Sequence, residues 1–135
     1  MLREEPVPTA LLALRHISVN IRTEDGERTV LRDISLDLQR GEILGLVGES
    51  GSGKSICAQA IMGLLPKPAA QMTMGRIYLA GQRIDNDPAA MQAARGKRMA
   101  MIFQEPMAAL NPVQRIGTQL AEVFALHFPE RTAAQ

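Results

Sequence analysis

Ile43-Leu44-Gly45-Leu46-Val47 runs straight into Gly48-Glu49-Ser50-Gly51-Ser52-Gly53-Lys54-Ser55. The first five residues form an unbroken apolar run, the pattern of a strand buried on both faces. From Ile56 to Leu65, Ala58, Ile61, Met62 and Leu65 recur at helical spacing, so a helix is expected to open at the loop. The eight residues between satisfy G-x-x-x-x-G-K-[ST]. Strand, glycine loop and helix together are the context in which that pattern cradles phosphate.

A triphosphate packs several anionic oxygens into a small volume. Backbone N–H groups reach them only where the chain curls tightly. Gly48, Gly51 and Gly53 give the chain that freedom. The amides of residues 48–55, including those of Glu49, Ser50 and Ser52, then form a nest that continues into the positive end of the helix dipole. Lys54 adds a mobile charge for the β- and γ-phosphates, and the Ser55 hydroxyl suits Mg²⁺. A triphosphate with Mg²⁺ is the expected ligand. A dinucleotide fingerprint fits the same glycines poorly, because Gly48, Gly51 and Gly53 have the wrong spacing and Lys-Ser follows.

The rest of the chain sets bounds. Its 135 residues amount to one domain or part of one. A net charge of +1 makes no electrostatic case for nucleic acid, and three Phe, one Tyr and no Trp supply no stacking platform for bases. Cys57 is a single cysteine in the helix after the loop, read as a small core residue, and a chain with one cysteine suits a reducing cytoplasm. No signal peptide is expected at the start, where the sequence turns acidic, and no stretch approaches 18 apolar residues.

Alternation predicts further elements. Ile17, Val19 and Ile21 alternate with polar residues, as do Ile34, Leu36 and Leu38, giving two half-buried strands around a turn at Asp25-Gly26. Arg40-Gly41-Glu42 turns the chain into the apolar run. Pro66 and Pro68 are expected to end the helix after the loop. Arg76 to Ile84 reads as a strand with a turn at Ala80-Gly81. Asp87-Pro88 suits the start of a short helix reaching about Arg95. Met99, Met101 and Phe103 alternate in a short strand over 98–103. Ile116, Leu120, Val123, Phe124 and Phe128 repeat at helical spacing. The expected fold is α/β, an antiparallel flap joined to a parallel core. His16 and His127 are read as structural or exposed, and the basic cluster Arg95, Lys97 and Arg98 as a solvated connection.

A second motif extends the reading. The glycine loop, the 98–103 segment and then Gln104-Glu105-Pro106 closely resemble an ABC-transporter ATPase, with Gln104 placed 50 residues after Lys54, where that family carries its Q-loop. The string Phe103-Gln104-Glu105-Pro106-Met107-Ala108-Ala109-Leu110-Asn111-Pro112 resembles the branch serving dipeptide, oligopeptide, nickel and glutathione importers. The resemblance covers residues 11 to 128 and implies an ABC-type P-loop NTPase core. It divides the chain into a loose tail (1–9), the front of the ATPase core (10–112) and the start of a helical subdomain (113–135).

By this resemblance Gln104 is catalytic, reaching Mg²⁺ and the attacking water, so Ser55 and Gln104 are the metal-site residues. Residues 105–112 would form part of a groove for the permease. The implied partners are permease subunits, a second ATP-binding subunit and, indirectly, a periplasmic or extracellular solute-binding protein. The implied location is peripheral, on the cytoplasmic face of the plasma membrane. Ile21 occupies the position where the family usually stacks an aromatic ring on adenine, and Ile21 with Val30 is expected to replace that ring by an apolar sandwich. The family's Leu-Ser-Gly-Gly-Gln signature, its Asp-Glu pair after an apolar strand and its switch histidine are not found in these 135 residues. The C-terminal half of the core is therefore expected to be absent, leaving residues 43–47 and 98–103 with open strand edges and the chain inactive alone. The alternatives are a short protein that binds nucleotide or permease without turnover, and a different phosphate-loop enzyme such as a small-molecule kinase.

Overall fold

The computed structural model describes residues 7–105 and 110–129. The chain divides into two units, residues 1–93 and 94–135. The first holds β1 (Leu12–Thr23), β2 (Gly26–Leu38), α1 (Lys54–Ile61), β3 (Ala70–Leu79), β4 (Gln82–Arg83) and all but the last residue of α2 (Pro88–Ala94). The second holds α3 (Ile116–His127).

The four strands form one antiparallel sheet in the order β2-β1-β3-β4. β1 is its spine, paired on both edges, and the core concentrates there. Leu14, Ile17 and Val19 are fully buried with Ile77 and Ile84. Each such side chain contributes about 1.5–3 kcal/mol on burial, so β1 dominates the stability of this unit.

β1 is less regular than its alternation suggests. It bulges between Leu14 and Ile17 against β2, and between Arg15 and Ser18 against β3. His16 takes φ 55° at the bulge, and Asp33 across on β2 takes φ 54°. These conformations are uncommon for residues other than glycine, and side chains support both. The His16 N–H donates to Ser35 Oγ (2.9 Å), the Asp33 N–H donates to Ser18 Oγ (3.1 Å), and His16 Nδ1 lies 2.6 Å from Asp33 Oδ1. His16 is thus a structural residue of the bulge.

Helix ends follow local chemistry. Asp87 Oδ1 accepts from the N–H groups of Ala89 (3.0 Å) and Ala90 (3.1 Å), capping α2 as expected. α1 ends differently from expectation. Gly63, at φ 63°, donates to Ala60 O, and Leu64 donates to Gln59 O. This is the Schellman arrangement, so a glycine stops the helix at Ile61 before either proline is reached.

The parallel core foreseen from the sequence is not formed among the described residues. Residues 43–47 pair with no strand, and Ile43 and Val47 are 97% and 92% exposed. Residues 100–103 are likewise unpaired; Met99 makes one isolated parallel bridge with Arg95. A strand buried on both faces needs hydrogen-bonding neighbours on its edges and layers above and below. Neither is available to these runs, so apolar sequence alone does not make them strands. α3 does form where its periodicity placed it, yet its apolar residues Leu120, Val123 and Phe124 stand exposed.

Candidate functional site

The turn at Gln39–Glu42 leads into the glycine loop. Gln39 donates its N–H to Glu42 Oε2 (2.6 Å), and Glu42 returns an N–H to Gln39 O (3.3 Å). From Gly48 the chain curls and enters α1 at Lys54. Gly53 is the N-cap, in the left-handed region at φ 94°, and no side chain caps the helix. The first N–H groups of a helix have no intrahelical acceptor. Here they are left for an external anion, which the helix dipole also favours.

Close approach as well as backbone angle demands glycine in this loop. A Cβ on Gly53 would lie 2.8 Å from Leu31 Cδ2 and 3.1 Å from Val30 O. A Cβ on Gly48 would lie 2.7 Å from Ser52 Oγ. The loop is therefore pressed against β2 on one side and folded on itself on the other. Sequence reasoning assigned all three glycines to backbone freedom. Gly51 (φ 79°) and Gly53 fit that role; Gly48 is not in the left-handed region, and a Cβ there would displace mainly the Ser52 hydroxyl, which can rotate aside.

Lys54 reaches back across the loop. Its Nζ donates to Gly48 O (2.7 Å), Glu49 O (2.7 Å) and Ser52 Oγ (3.3 Å). These three acceptors use the three donors of an ammonium group. The structure thus brings Gly48, Glu49, Ser52 and Lys54 together around one charge. Ser50 and Ser55 are exposed beside them. An anion entering the loop meets a cation already in place and replaces neutral carbonyls with stronger, charge-assisted partners.

These features fit a polyphosphate: a loop that a Cβ would block, an uncapped helix N-terminus and a converging lysine. Among the described residues no group of three His, Cys, Asp or Glu side chains is placed to hold a metal ion. A hydroxyl such as that of Ser55 suits a cation whose other ligands are phosphate oxygens and water.

A profile of the ABC transporter family matches residues 31–134, most of the chain. This chain belongs to the ABC transporter family. Similar ABC proteins include the uncharacterized ABC transporter ATP-binding protein YejF of Escherichia coli, 45% identical over 118 residues, which are 87% of this chain and 22% of that one. The oligopeptide transport ATP-binding protein OppD of Bacillus subtilis is 41% identical over 120 residues, 88% of this chain and 34% of that one. The probable D,D-dipeptide transport ATP-binding protein DdpD of Escherichia coli is 44% identical over 120 residues, 88% of this chain and 37% of that one. The chain thus spans between about a fifth and two-fifths of the length of these ABC relatives.

Other residues singled out in the sequence lie apart from the loop. Ile21 is half-buried in β1, opposite Arg28 on β2 and Ala70 on β3. Val30 occupies a bulge of β2 between the Val19–Leu31 and Asn20–Thr29 pairs. The apolar Ile21–Val30 sandwich rests on two positions that the register does not pair directly. Gln104 is exposed in a bend of the second unit. Of the string that follows it, Pro106, Met107, Ala108 and Ala109 lie outside the described residues.

Sequence reasoning passed over three features. Asp85, buried at 4% side-chain exposure, accepts from the Ile77 N–H (2.7 Å) and from Arg83 Nη2 (2.8 Å), and that pairing holds the Arg83 guanidinium above its ordinary pKa. Gly75 sits against the β1 bulge, and Gln119 binds the chain near Asn111. β3 begins at Ala70, before the strand read from Arg76, so Gly75 lay outside the pattern that would mark a close backbone approach; the other two carried no signal. A cavity of about 530 Å³ beyond the C-terminal end of α1 is lined by Ala60, Gly63, Met72, Ile77 and Met91, among others, and by no residue of the glycine loop.

Proposed function

We propose that this chain is the phosphate-binding front of an ATP-binding subunit that drives peptide uptake through a membrane permease, with nickel-type solutes as the other class its sequence suits. The observation that carries the ATP part is the uncapped α1 N-terminus with Lys54 converging on the Gly48–Ser55 loop. The names of the oligopeptide and D,D-dipeptide relatives support the peptide part.

In this reading the amides of residues 48–55 bind the phosphates, Lys54 carries the charge between the β- and γ-positions, and Ile21 flanks the base. Ser55 and Gln104 hold Mg²⁺, and Gln104 orients the attacking water. Bound Mg²⁺ neutralises charge on the phosphates. Residues 105–112 dock the permease. A second ATP-binding subunit, identical or not, completes the hydrolytic site, and a solute-binding protein delivers cargo on the far side. The subunit works peripherally at the cytoplasmic face. No helix among the described residues is long and apolar enough to cross a membrane.

The test is a titration of the chain with a fluorescent ATP analogue in Mg²⁺, followed by peptide uptake in the assembled transporter. The Lys54→Ala variant should bind about 10- to 100-fold more weakly. Gln104→Ala should keep binding and lose uptake. Equal nucleotide affinity in wild type and Lys54→Ala would remove the phosphate-site assignment; normal uptake with Gln104→Ala would remove the catalytic one.

A further inference from the structure

We propose that the cavity beyond the C-terminal end of α1 is a binding site for a small apolar molecule that ends in a carboxylate, with Arg22 and Lys67 receiving the charged end. No residue of the glycine loop lines this cavity, so the site is separate from the phosphate site.

The cavity measures about 530 Å³, inside the range of roughly 300–1,000 Å³ usual for small-molecule sites. Its walls are mainly apolar. Ala60, Ile77 and Met91 are buried there, and Met72 is half-buried beside them. Methionine side chains are flexible and polarisable, so Met72 and Met91 can adapt to an irregular ligand. Gly63, at φ 63° where α1 stops, leaves Met91 its place: a Cβ there would lie 3.0 Å from Met91 Cγ.

Backbone hydrogen bonds bring two cations to this cavity. The Arg22 N–H donates to Ala69 O (2.7 Å), and the Ala70 N–H donates to Pro66 O (2.7 Å). The turn that carries Lys67 is therefore tied to the end of β1 that carries Arg22. Among the described residues no ion pair engages either side chain. Glu27 stands opposite Arg22 in the β1–β2 ladder but does not line the cavity. The one acid that lines it, Asp85, is already matched: it accepts from the Ile77 N–H and from Arg83 through both oxygens. The charge left beside the apolar walls is positive. A guanidinium offers a planar fork that matches a carboxylate, and charge-assisted bonds are the stronger kind. The Gln71 carboxamide at the same cavity adds neutral donors. The cavity lies at the negative end of the α1 dipole, which opposes the double charge of a phosphate more than the single charge of a carboxylate.

The experiment titrates the 135-residue chain, labelled with carbon-13 at its methionine methyls, with decanoate, decanol and acetate. Decanoate should shift the Met72 and Met91 signals saturably and leave that of Met74, exposed on the same strand, in place. Decanol should bind about tenfold more weakly, and acetate should move neither signal. Arg22→Gln combined with Lys67→Gln should lower decanoate affinity about tenfold, to the decanol level, with decanol unchanged. Gln71→Glu puts an anion at the cavity and should weaken decanoate alone. All three positions are exposed, so the fold should persist, and the unliganded methyl spectrum checks it. Absence of saturable shifts at Met72 and Met91 with decanoate overturns the site. Equal affinity for decanoate and decanol, or undiminished decanoate binding in the double variant, overturns the carboxylate assignment.

Discussion

Lys54 Nζ stands 2.7 Å from the carbonyl oxygen of Gly48, so the loop's cation is bonded to the loop's own first residue. The same ammonium also holds Glu49 O and Ser52 Oγ. These contacts are exposed, where a neutral acceptor competes with water and contributes little. Phosphate oxygens would compete far better, since charge-assisted bonds are roughly twice as strong. Lys54→Ala should therefore separate binding from folding. Nucleotide affinity should fall by about one to two decades, while the urea midpoint should correspond to a stability change within about 0.5 kcal/mol. A large loss of stability would mean that the lysine is a structural strut.

Gly75 gives the opposite kind of variant. It sits at φ 109°, and a Cβ there would lie 2.7 Å from Arg15 O, His16 O and Ile17 Cα. All three are backbone atoms of the bulged spine strand, so none can swing aside. Gly75→Ala combines backbone strain with overpacking, each about 1–3 kcal/mol. The sheet should be destabilised by several kcal/mol, enough to unfold a marginal domain. Circular dichroism and a denaturant titration would show it. A stable, native-like Gly75→Ala chain would mean that the β1 bulge can flatten.

Much of this arrangement could be read before the fold. Asp87 announced its cap, Asp25-Gly26 its hairpin, and the glycine loop its helix, because each depends on chemistry within a few residues. The helix stop at Gly63 was equally local, and two nearby prolines masked it. The error at 43–47 was of another kind. Val47 is as apolar as a core strand residue, but strand formation depends on partners distant in sequence, and none pairs with it among the described residues. Gln119 was invisible for a related reason: its value lies in its reach to Asn111, eight residues earlier, and helical periodicity does not report that.

Ile21 tests the base site. It is half-buried at the end of β1, where the strand faces Arg28 and Ala70. Stacking of an aromatic ring on a base is worth roughly 1–3 kcal/mol. Ile21→Tyr should therefore tighten ATP binding by about tenfold and improve discrimination against inorganic triphosphate. Competition titrations with ATP and triphosphate would measure both. No change in either ratio would move the adenine elsewhere.

Cys57 lies in α1, one turn past the loop, with only 3% of its surface exposed. Burial pushes its thiol above the ordinary pKa. The folded protein thus holds that proton more tightly than the unfolded chain. The resulting stability is fully present below the ordinary cysteine pKa and fades as pH rises through the folded value. At pH 7–8 the thiol is both shielded and protonated. Iodoacetamide should label it on the order of a hundredfold more slowly than in urea, the residual rate reporting opening of α1. Fast labelling of the native chain would show that the helix opens readily.

Ile43 and Val47 carry the last prediction. Both are almost wholly exposed in a segment that pairs with no strand among the described residues, and Leu44 and Leu46 between them are about half exposed. An extended apolar run with free N–H and C=O groups is a template for pairing with another copy. The 135-residue chain should therefore self-associate as its concentration rises. The double variant Ile43→Lys with Val47→Lys puts two charges on that run, and like charges brought together oppose edge-to-edge pairing. Sedimentation velocity should show the variant monomeric at concentrations where the wild type has associated. Circular dichroism should be unchanged, since neither side chain belongs to the β1-centred core. If the variant associates like the wild type, the contact lies elsewhere, and the exposed face of α3 with Leu120, Val123 and Phe124 becomes the surface to charge next.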